Sequence, residues 1–326
     1  MMDNIFFITL FIKIWYNLPK DEGCVIINNL LKNKKIIGHI LALLSIFVWG
    51  TTFVATKVLL NYFTPMEIMF FRFLLGYITL LLIKPKFIKP ISLKQELIFF
   101  LASICGISLY QYLENLSLSY TTASNVSIIG ASSVFFTAIF SLLILKDEKI
   151  NIFFYIGFII SIFGVGLVSY NPNEGFNTFS IGDIIALLST ILWGVYSVIV
   201  KVISKYKYDP ILVTKRIIFY GTISLIPFCI FGNHDLSLTR FLNIENLLLM
   251  IFLGVLASAV CFFTWNLAVD YIGPVKTGLY FYLSPVITII FGIIVLNEKL
   301  TLLGIIGTLL IFIGLYVSSI KTKNRA

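Results

Sequence analysis

The chain alternates between long apolar runs and short segments that hold most of its charged residues. Each run is continuously apolar over about 20 residues, the length at which an α-helix crosses about 30 Å of hydrocarbon. Strands of a membrane β-barrel would instead alternate apolar and polar positions over about ten residues. The pattern predicts an all-α integral membrane protein with ten transmembrane helices. The predicted spans cover residues 38–60, 66–83, 97–115, 124–145, 152–169, 181–203, 212–231, 247–269, 276–296 and 302–320.

The first five predicted spans resemble the last five in sequence. The landmarks of the first half, Trp49, Gly50, Lys57 and Arg72, recur in the second half as Trp193, Gly194, Lys201 and Arg216. Because each half holds an odd number of spans, the second half enters the membrane in the opposite orientation. We therefore predict two inverted five-helix repeats over residues 36–170 and 181–320, followed by a tail of residues 321–326.

Charge predicts the orientation of these spans. Charged residues make up 12% of the chain, against roughly 25% in a soluble domain. The loops on the side of the N terminus carry most of the basic residues, whereas the loops on the other side carry Arg240 and Lys299. The positive-inside rule then predicts a multi-pass protein with both termini in the cytoplasm. Residue usage rich in Ile, Phe, Lys and Asn suggests a bacterial genome, so we expect the bacterial cytoplasmic (inner) membrane. Topology and anionic lipid explain the net charge of +9, so we expect no nucleic-acid partner.

Residues 1–35 do not belong to either repeat. The apolar run from Ile5 to Ile14 is too short to span a bilayer, and no small-residue cleavage pattern follows it. We interpret the segment as a leader outside the fold, or as the product of a start codon assigned too far upstream. An interfacial helix is the alternative, although the run is only weakly amphipathic.

The sequence offers no set of residues for catalysis or metal binding. Its four cysteines lack metal-type spacing, and the two histidines, His39 and His234, fall at opposite ends of the predicted spans. No phosphate-binding glycine loop or nucleophile–base pair can be assembled, so we predict no enzyme, cofactor, metal site or ATP-driven pump. No Asp or Glu falls near the middle of a predicted span, which disfavours proton antiport through a central carboxylate and favours facilitated export.

Each half opens with a Trp-Gly helix and reaches a Glu at the end of its fourth span, in Leu145-Lys146-Asp147-Glu148 and in Leu296-Asn297-Glu298. With ten spans in two halves, this arrangement resembles the EamA family of the drug/metabolite transporter superfamily over about residues 36–320. The resemblance implies a central cavity between spans one, three, four, six, eight and nine, with spans five and ten at the periphery. The second half has Ser284-Pro285-Val286 where the first half has Ser133-Val134-Phe135, so we expect a helix break in span nine alone.

Helical spacing selects the polar and aromatic side chains that could line this cavity. The candidate substrate-binding residues are Trp49, Thr52, Thr56, Gln111, Asn115, Trp193, Tyr196, Tyr280 and Ser284. Other roles compete with this interpretation, since tryptophan also anchors helices at membrane interfaces and glutamine also bonds helices together. Serine and threonine hydroxyls commonly bond their own helix. Tyr280 is preferred to Tyr282, because the two cannot face the cavity together on a helix.

The basic residues inside the spans need partners or access to water. Lys57 and Lys201 lie close enough to a span end to extend to the interface. Arg72 and Arg216 lie about six residues inside their spans, where an unpaired guanidinium is costly. The inverted topology predicts two ion pairs that act as gates or structural clasps. These pairs join Arg72 to Glu298 and Arg216 to Glu148.

Together these features predict a transporter that exports a small organic metabolite, such as an amino acid or a related amphipathic compound, by alternating access. A drug or toxic-compound exporter is the first alternative, and a non-transporting membrane scaffold is the second. The expected partners are a small-molecule substrate and the lipid bilayer, with the chain acting as a monomer or weak homodimer.

Overall fold

A computed structural model describes residues 33–89, 92–146, 152–168, 180–232, 234–298 and 301–319. The regular structure of these residues is entirely helical, and we number the longer helices α1 to α10 in chain order. They are α1 (Lys34–Leu59), α2 (Pro65–Ile83), α3 (Leu93–Tyr120), α4 (Ala123–Ile144), α5 (Ile152–Val168), α6 (Ile181–Ser204), α7 (Pro210–Phe231), α8 (Ile244–Ile272), α9 (Pro274–Leu296) and α10 (Leu302–Ser319). A short 3-10 turn, Thr239–Leu242, precedes α8.

Eight of these helices are long and apolar enough to cross a membrane: α1 to α4 and α6 to α9. The other two, α5 and α10, are apolar but shorter, and they coincide with predicted spans five and ten. An all-helical, multi-pass membrane protein is thus confirmed, while the count of ten spans stays a prediction. The predicted leader lies almost wholly outside the described residues, and Glu148 lies outside them as well.

The two ends of the helix bundle differ in charge. We call the end at which α1 begins the lysine-rich end, since Lys34, Lys84 and Lys205 lie there, and we call the opposite end the far end.

Helix starts are set by capping residues. Thr64 and Glu67 form a capping box at the far-end start of α2. At the lysine-rich end, Gly273 adopts φ +87°, a left-handed conformation that lets α8 pass directly into α9.

Four helices contain irregular turns near the middle of the bundle. Residues Ile104–Ser108 of α3 and Phe252–Val260 of α8 are π-helical, and Leu279–Leu283 of α9 form a 3-10 turn. α4 is also interrupted, at residues 131–132, so the expectation of a break in span nine alone was wrong. No proline is needed in α4, because the Ser132 hydroxyl and backbone N–H both donate to the Ile129 carbonyl.

Glycines let helices of the two predicted halves pack closely against each other. A Cβ on Gly50 of α1 would lie 2.8 Å from Ile287 of α9, and a Cβ on Gly194 of α6 would lie 2.9 Å from Phe136 of α4. The Thr288 hydroxyl also donates to the Gly50 carbonyl at 2.6 Å. Since Gly50 and Gly194 each follow a tryptophan, this packing fixes where both Trp-Gly motifs sit in the bundle.

α5 and α10 pack mainly along each other. A Cβ on Gly157 would lie 2.2 Å from the Gly314 carbonyl oxygen, and the Ser161 hydroxyl donates to the Ile311 carbonyl at 3.2 Å. Close backbone approach through small residues is how helices associate in lipid, where burial of apolar surface provides little driving force.

We expect Gly157→Val to force α5 and α10 apart, because the added side chain would overlap the backbone of α10. Overpacking of this kind costs about 1–3 kcal/mol, which a thermal melt in detergent would register as a lower melting temperature. Gly166→Val in the same helix is the matched control, because a Cβ there meets nothing within 4 Å. Equal effects of the two substitutions would contradict the packing described for α5 and α10.

Candidate functional site

An aromatic cluster fills the middle of the bundle. The Trp49 ring on α1 meets the Trp193 ring on α6 edge to face, with centroids 5.3 Å apart. Trp265 of α8 lies 5.2 Å from Trp49, and Phe281 of α9 lies 5.5 Å from Trp193. The Trp49 indole N–H donates to the Ala257 carbonyl in the π-helical segment of α8 at 3.0 Å. Both tryptophans are therefore internal and do not serve as interface anchors.

Tyr196 packs against the ring of Trp193, one turn earlier on the same helix. Its ring lies 5.1 Å from that of Trp193, and its hydroxyl donates to the Asn266 side chain at 2.7 Å. The ring fits because residue 106 is a glycine, whose Cβ, if present, would lie 2.2 Å from it. Tyr196 thus positions Trp193.

A buried polar network adjoins the aromatic cluster. Arg72 of α2 donates to the Gln111 side-chain oxygen on α3 at 2.8 Å and to the Ser258 hydroxyl on α8 at 3.0 Å. The Gln111 amide nitrogen donates to Glu114 at 3.4 Å, and the Tyr110 hydroxyl donates to the other carboxylate oxygen of Glu114. Gln111 therefore bridges a cationic and an anionic side chain, both of them buried.

Between the cluster and the network lies an empty space of about 290 Å³. Its shape leaves room for about one water molecule, so the space as it stands is too small for an organic metabolite. The space is lined by Trp49, Thr52, Phe53, Arg72, Tyr110, Gln111, Glu114, Trp193, Phe262 and Phe281. A second space of about 260 Å³ shares five of these residues and extends between α4 and α6.

Of the nine candidate binding residues, Trp49, Thr52, Gln111 and Trp193 line the central space. Tyr196 lies behind Trp193, as described above. The remaining four lie elsewhere. Thr56, Asn115 and Ser284 are buried between helices, and the Asn115 amide is 3.5 Å from the Pro65 carbonyl.

Tyr280 lies at the lysine-rich end, where its hydroxyl is 2.9 Å from the His39 ring. The residue of α9 that lines the space is instead the next one, Phe281. The selection of Tyr280 assumed a regular α-helix, but residues 279–283 form a 3-10 turn that changes which side chains share a face.

Sequence reasoning missed Glu114 as a site residue. It ended span three at residue 115, whereas α3 continues to Tyr120 and places Glu114 well inside the helix. The expectation that no acidic residue lies near the middle of a span fails at the site itself, because Glu114 lies six residues before the end of α3 and lines the central space. The signal was present, because Tyr110 and Gln111 precede Glu114 by four and three residues, which are the spacings of neighbours on one helical face.

The predicted pair of Arg72 with Glu298 was wrong in its partners. Glu298 accepts hydrogen bonds from the backbone N–H groups of Ala123 and Ser124, at 2.7 and 3.1 Å. A carboxylate there is favoured because the N terminus of α4 carries unpaired donors and a positive partial charge. Arg72 lies instead in the polar network, where Gln111 and Ser258 satisfy it.

The partner predicted for Arg216 was Glu148. The structure instead joins Arg216 to Glu96 at the start of α3, through both carboxylate oxygens, and the Tyr220 hydroxyl donates to the same carboxylate at 2.6 Å. We call this the lysine-rich clasp. The geometry is favoured because a bidentate guanidinium–carboxylate pair satisfies both groups in a part-buried site.

A second ion pair lies at the far end of the bundle. Arg240, in the turn before α8, bonds Glu67 at the start of α2 at 2.8 Å, and the Asp235 N–H donates to the other Glu67 oxygen at 2.8 Å. We call this the far clasp. In the same loop, the Ser237 backbone N–H and hydroxyl hold the pKa of Asp235 below its usual value. The two clasps thus join α7 to α3 at one end and α2 to the approach to α8 at the other.

The side chains of Lys57 and Lys201, which were expected to extend to the membrane interface, donate to backbone carbonyls at helix ends. The Lys57 ammonium donates to the Leu118 and Thr121 carbonyls at the C-terminal end of α3. The Lys201 ammonium donates to the Asp270 carbonyl at the C-terminal end of α8. Both cations therefore satisfy carbonyls that a helix end leaves unpaired.

A family model for EamA-like transporters matches the chain twice, over residues 36–170 and 180–320. The chain belongs to the EamA-like transporter family. It is 31% identical to an uncharacterized transporter of Archaeoglobus fulgidus over 87% of this chain and 97% of that protein. It is 29% identical to the uncharacterized transporter YyaM of Bacillus subtilis over 84% of this chain and 90% of that protein.

A solved crystal structure resembles this EamA-like transporter with a TM-score of 0.62, over 88% of this chain and 96% of the other. The two sequences are 15% identical, so the likeness concerns the fold alone. The membership and the relatives support a transporter in a lipid bilayer with a small-molecule substrate.

The polar network gives a direct prediction about stability. Gln111→Met keeps the approximate volume of the side chain but leaves Arg72 and Glu114 without their bridge. A buried charged group that loses a hydrogen-bond partner costs about 1–3 kcal/mol or more, so we expect a lower melting temperature in detergent. Thr190→Val, which removes a hydroxyl bonded to its own helix, is the control and should change little. A Gln111→Met protein as stable as the unmodified one would refute the bridge.

Proposed function

We propose that this EamA-like transporter exports a small zwitterionic metabolite, such as an amino acid, and binds it in the central space. The observation that supports this most is the pair of buried opposite charges, Arg72 and Glu114, beside the rings of Trp49 and Trp193. Arg72 offers donors to a substrate carboxylate, and Glu114 offers acceptors to a substrate ammonium. The two rings would contact the apolar part of the molecule or the face of its cation.

Glu114 also changes the account of energy coupling. Facilitated export was favoured because no carboxylate was expected near the middle of a span, and the position of Glu114 beside the central space removes that argument. A carboxylate beside the substrate can exchange a proton for a cation, so coupling becomes a matter for measurement. Flux in proteoliposomes with and without an imposed pH gradient separates coupled from facilitated transport.

We propose that the two clasps serve alternating access across an inverted repeat of ten spans, with the lysine-rich end in the cytoplasm. Both clasps are closed here, in agreement with the closed central space. Opening the lysine-rich clasp would admit substrate from one side, and opening the far clasp would release it on the other. Each clasp joins the two predicted halves. At one end the arginine lies on α7 and the glutamate on α3, and at the other end the arginine lies before α8 and the glutamate on α2.

The first test is a thermal-shift screen of purified protein with amino acids and their N-acetyl and methyl-ester derivatives. A ligand at about 100 times its dissociation constant stabilises the folded state by about 2.7 kcal/mol. We expect zwitterions to raise the melting temperature, and derivatives that lack either charge to lose the effect. Trp49→Ala and Trp193→Ala should abolish the ligand-dependent increase.

Phe135→Ala is the control, since Phe135 is equally buried but packs against Phe154 and Phe158, away from the central space. It should lower the melting temperature by itself yet keep the increase produced by the ligand. Trp265 would be unsuitable as a control, because it belongs to the aromatic cluster. Stabilisation by lipophilic cations alone would favour a drug exporter, and absence of any solute flux would favour a scaffold.

The second test concerns the far clasp. Arg240→Gln should open the far end, and each 1.4 kcal/mol lost from the closed form raises the open population about tenfold. The readout is labelling of Thr52→Cys by a membrane-impermeant maleimide, in a background whose native cysteines are replaced by alanine. Glu245→Gln, at an exposed position at the same end, should leave the labelling rate unchanged. Equal labelling of the Arg240→Gln and unmodified backgrounds would argue against a gate at Glu67.

A further inference from the structure

Another cavity lies at the lysine-rich end, apart from the two spaces in the middle of the bundle. It occupies about 470 Å³ between the end of α2, the segment at residues 84–89 and the start of α7. Its lining includes Tyr77, Phe87, Ile88, Lys215, Phe219 and Tyr220. None of its lining residues belongs to the central space, so the two cavities are separate.

Lys215 is the unusual member of this lining, because its side chain is only 2% exposed. Its ammonium donates to the Lys84 carbonyl at 2.6 Å and to the Lys86 carbonyl at 2.5 Å, and it lies 4.4 Å from the Phe87 ring centroid. An ammonium has three N–H donors. Two of these donors bond carbonyls, and no acceptor for the third lies within hydrogen-bond distance among the described residues.

The neighbouring carboxylates are already engaged. Asp209 forms an ion pair with Lys84, and Glu96 is held by Arg216. Within the described ranges, Lys215 therefore has no carboxylate at ion-pair distance. A buried cation whose partners are two carbonyl groups and one aromatic ring keeps an uncompensated charge, and an anion in the adjoining cavity would offset the cost of burying it.

The surroundings of the cavity are those of a lipid-facing groove. Its apolar wall is exposed: Phe219 lines the cavity, and Ile223 lies one turn further along α7, and both side chains are exposed. Lys215 lies about five residues into α7, so it is roughly 7.5 Å from the helix start at 1.5 Å per residue. If α7 begins at the outer edge of the headgroup layer, Lys215 lies near the boundary between headgroups and acyl chains.

We propose that this groove binds an anionic phospholipid. The lipid phosphate accepts the free N–H of Lys215, and an acyl chain covers Phe219 and the neighbouring apolar surface of α2 and α7. An anionic headgroup is selected over a zwitterionic one because the groove offers an unbalanced positive charge, to which exposed Lys86 adds. This inference does not depend on the substrate of the central site.

The test compares phosphatidylglycerol with phosphatidylcholine in mixed micelles, by native mass spectrometry of retained lipid and by thermal melts. We expect the unmodified protein to retain phosphatidylglycerol preferentially and to melt at a higher temperature with it. Lys215→Met should lose the preference. Lys205→Met, at an exposed lysine of the same end away from the cavity, should keep it.

Leu212→Trp provides a second variant that retains the charge. Leu212 also lines the cavity, so the larger ring should fill it and displace the lipid while Lys215 stays in place. Equal retention of the two lipids by the unmodified protein would overturn the proposal, as would an undiminished preference in both variants. Stabilisation by inorganic phosphate equal to that by phosphatidylglycerol would also overturn it, because the site would then take a free anion.

Discussion

A guanidinium buried among apolar helices has to find hydrogen-bond acceptors, and the centre of this transporter is organised by how Arg72 finds them. Its donors engage Gln111 on α3 and Ser258 on α8, so one side chain from α2 connects three helices. Gln111 in turn contacts Glu114, which brings an anion within the same network. An unpaired charge in hydrocarbon costs several kcal/mol, so this network constrains the helices more strongly than apolar packing does in lipid.

The aromatic cluster depends on the same arrangement. Trp49 and Trp193 meet at the centre because Gly50 and Gly194 let α1 and α6 approach α9 and α4 closely. The π-helical segment of α8 supplies the Ala257 carbonyl to the Trp49 indole. A polar network and an aromatic wall thus enclose one narrow space, and an ion pair lies at each end of the bundle. In the mechanism proposed above, this arrangement is the form between the two open states.

The sequence predicted the helices and the central position of the two tryptophans, because both depend on local patterns. Apolar length specifies a span, and repetition of Trp-Gly marks two positions near the middle of the membrane. Partners across helices depended on three-dimensional details that periodicity does not contain. The 3-10 turn of α9 exchanged Tyr280 for Phe281 at the cavity, and the extension of α3 by more than a turn brought Glu114 into the site. Glu298 found the N terminus of α4 because a helix end competes with a guanidinium for a carboxylate.

The central claim is that substrate binds in the central space beside Trp49 and Trp193, with its charges on Arg72 and Glu114. The most direct measurement is a structure determined with the amino acid that stabilises the protein most. The account predicts density for that molecule against both tryptophan rings, with its carboxylate at Arg72 and its ammonium at Glu114. Density at another place in the bundle, with the Arg72–Gln111–Glu114 network unchanged and the central space still closed, would contradict it.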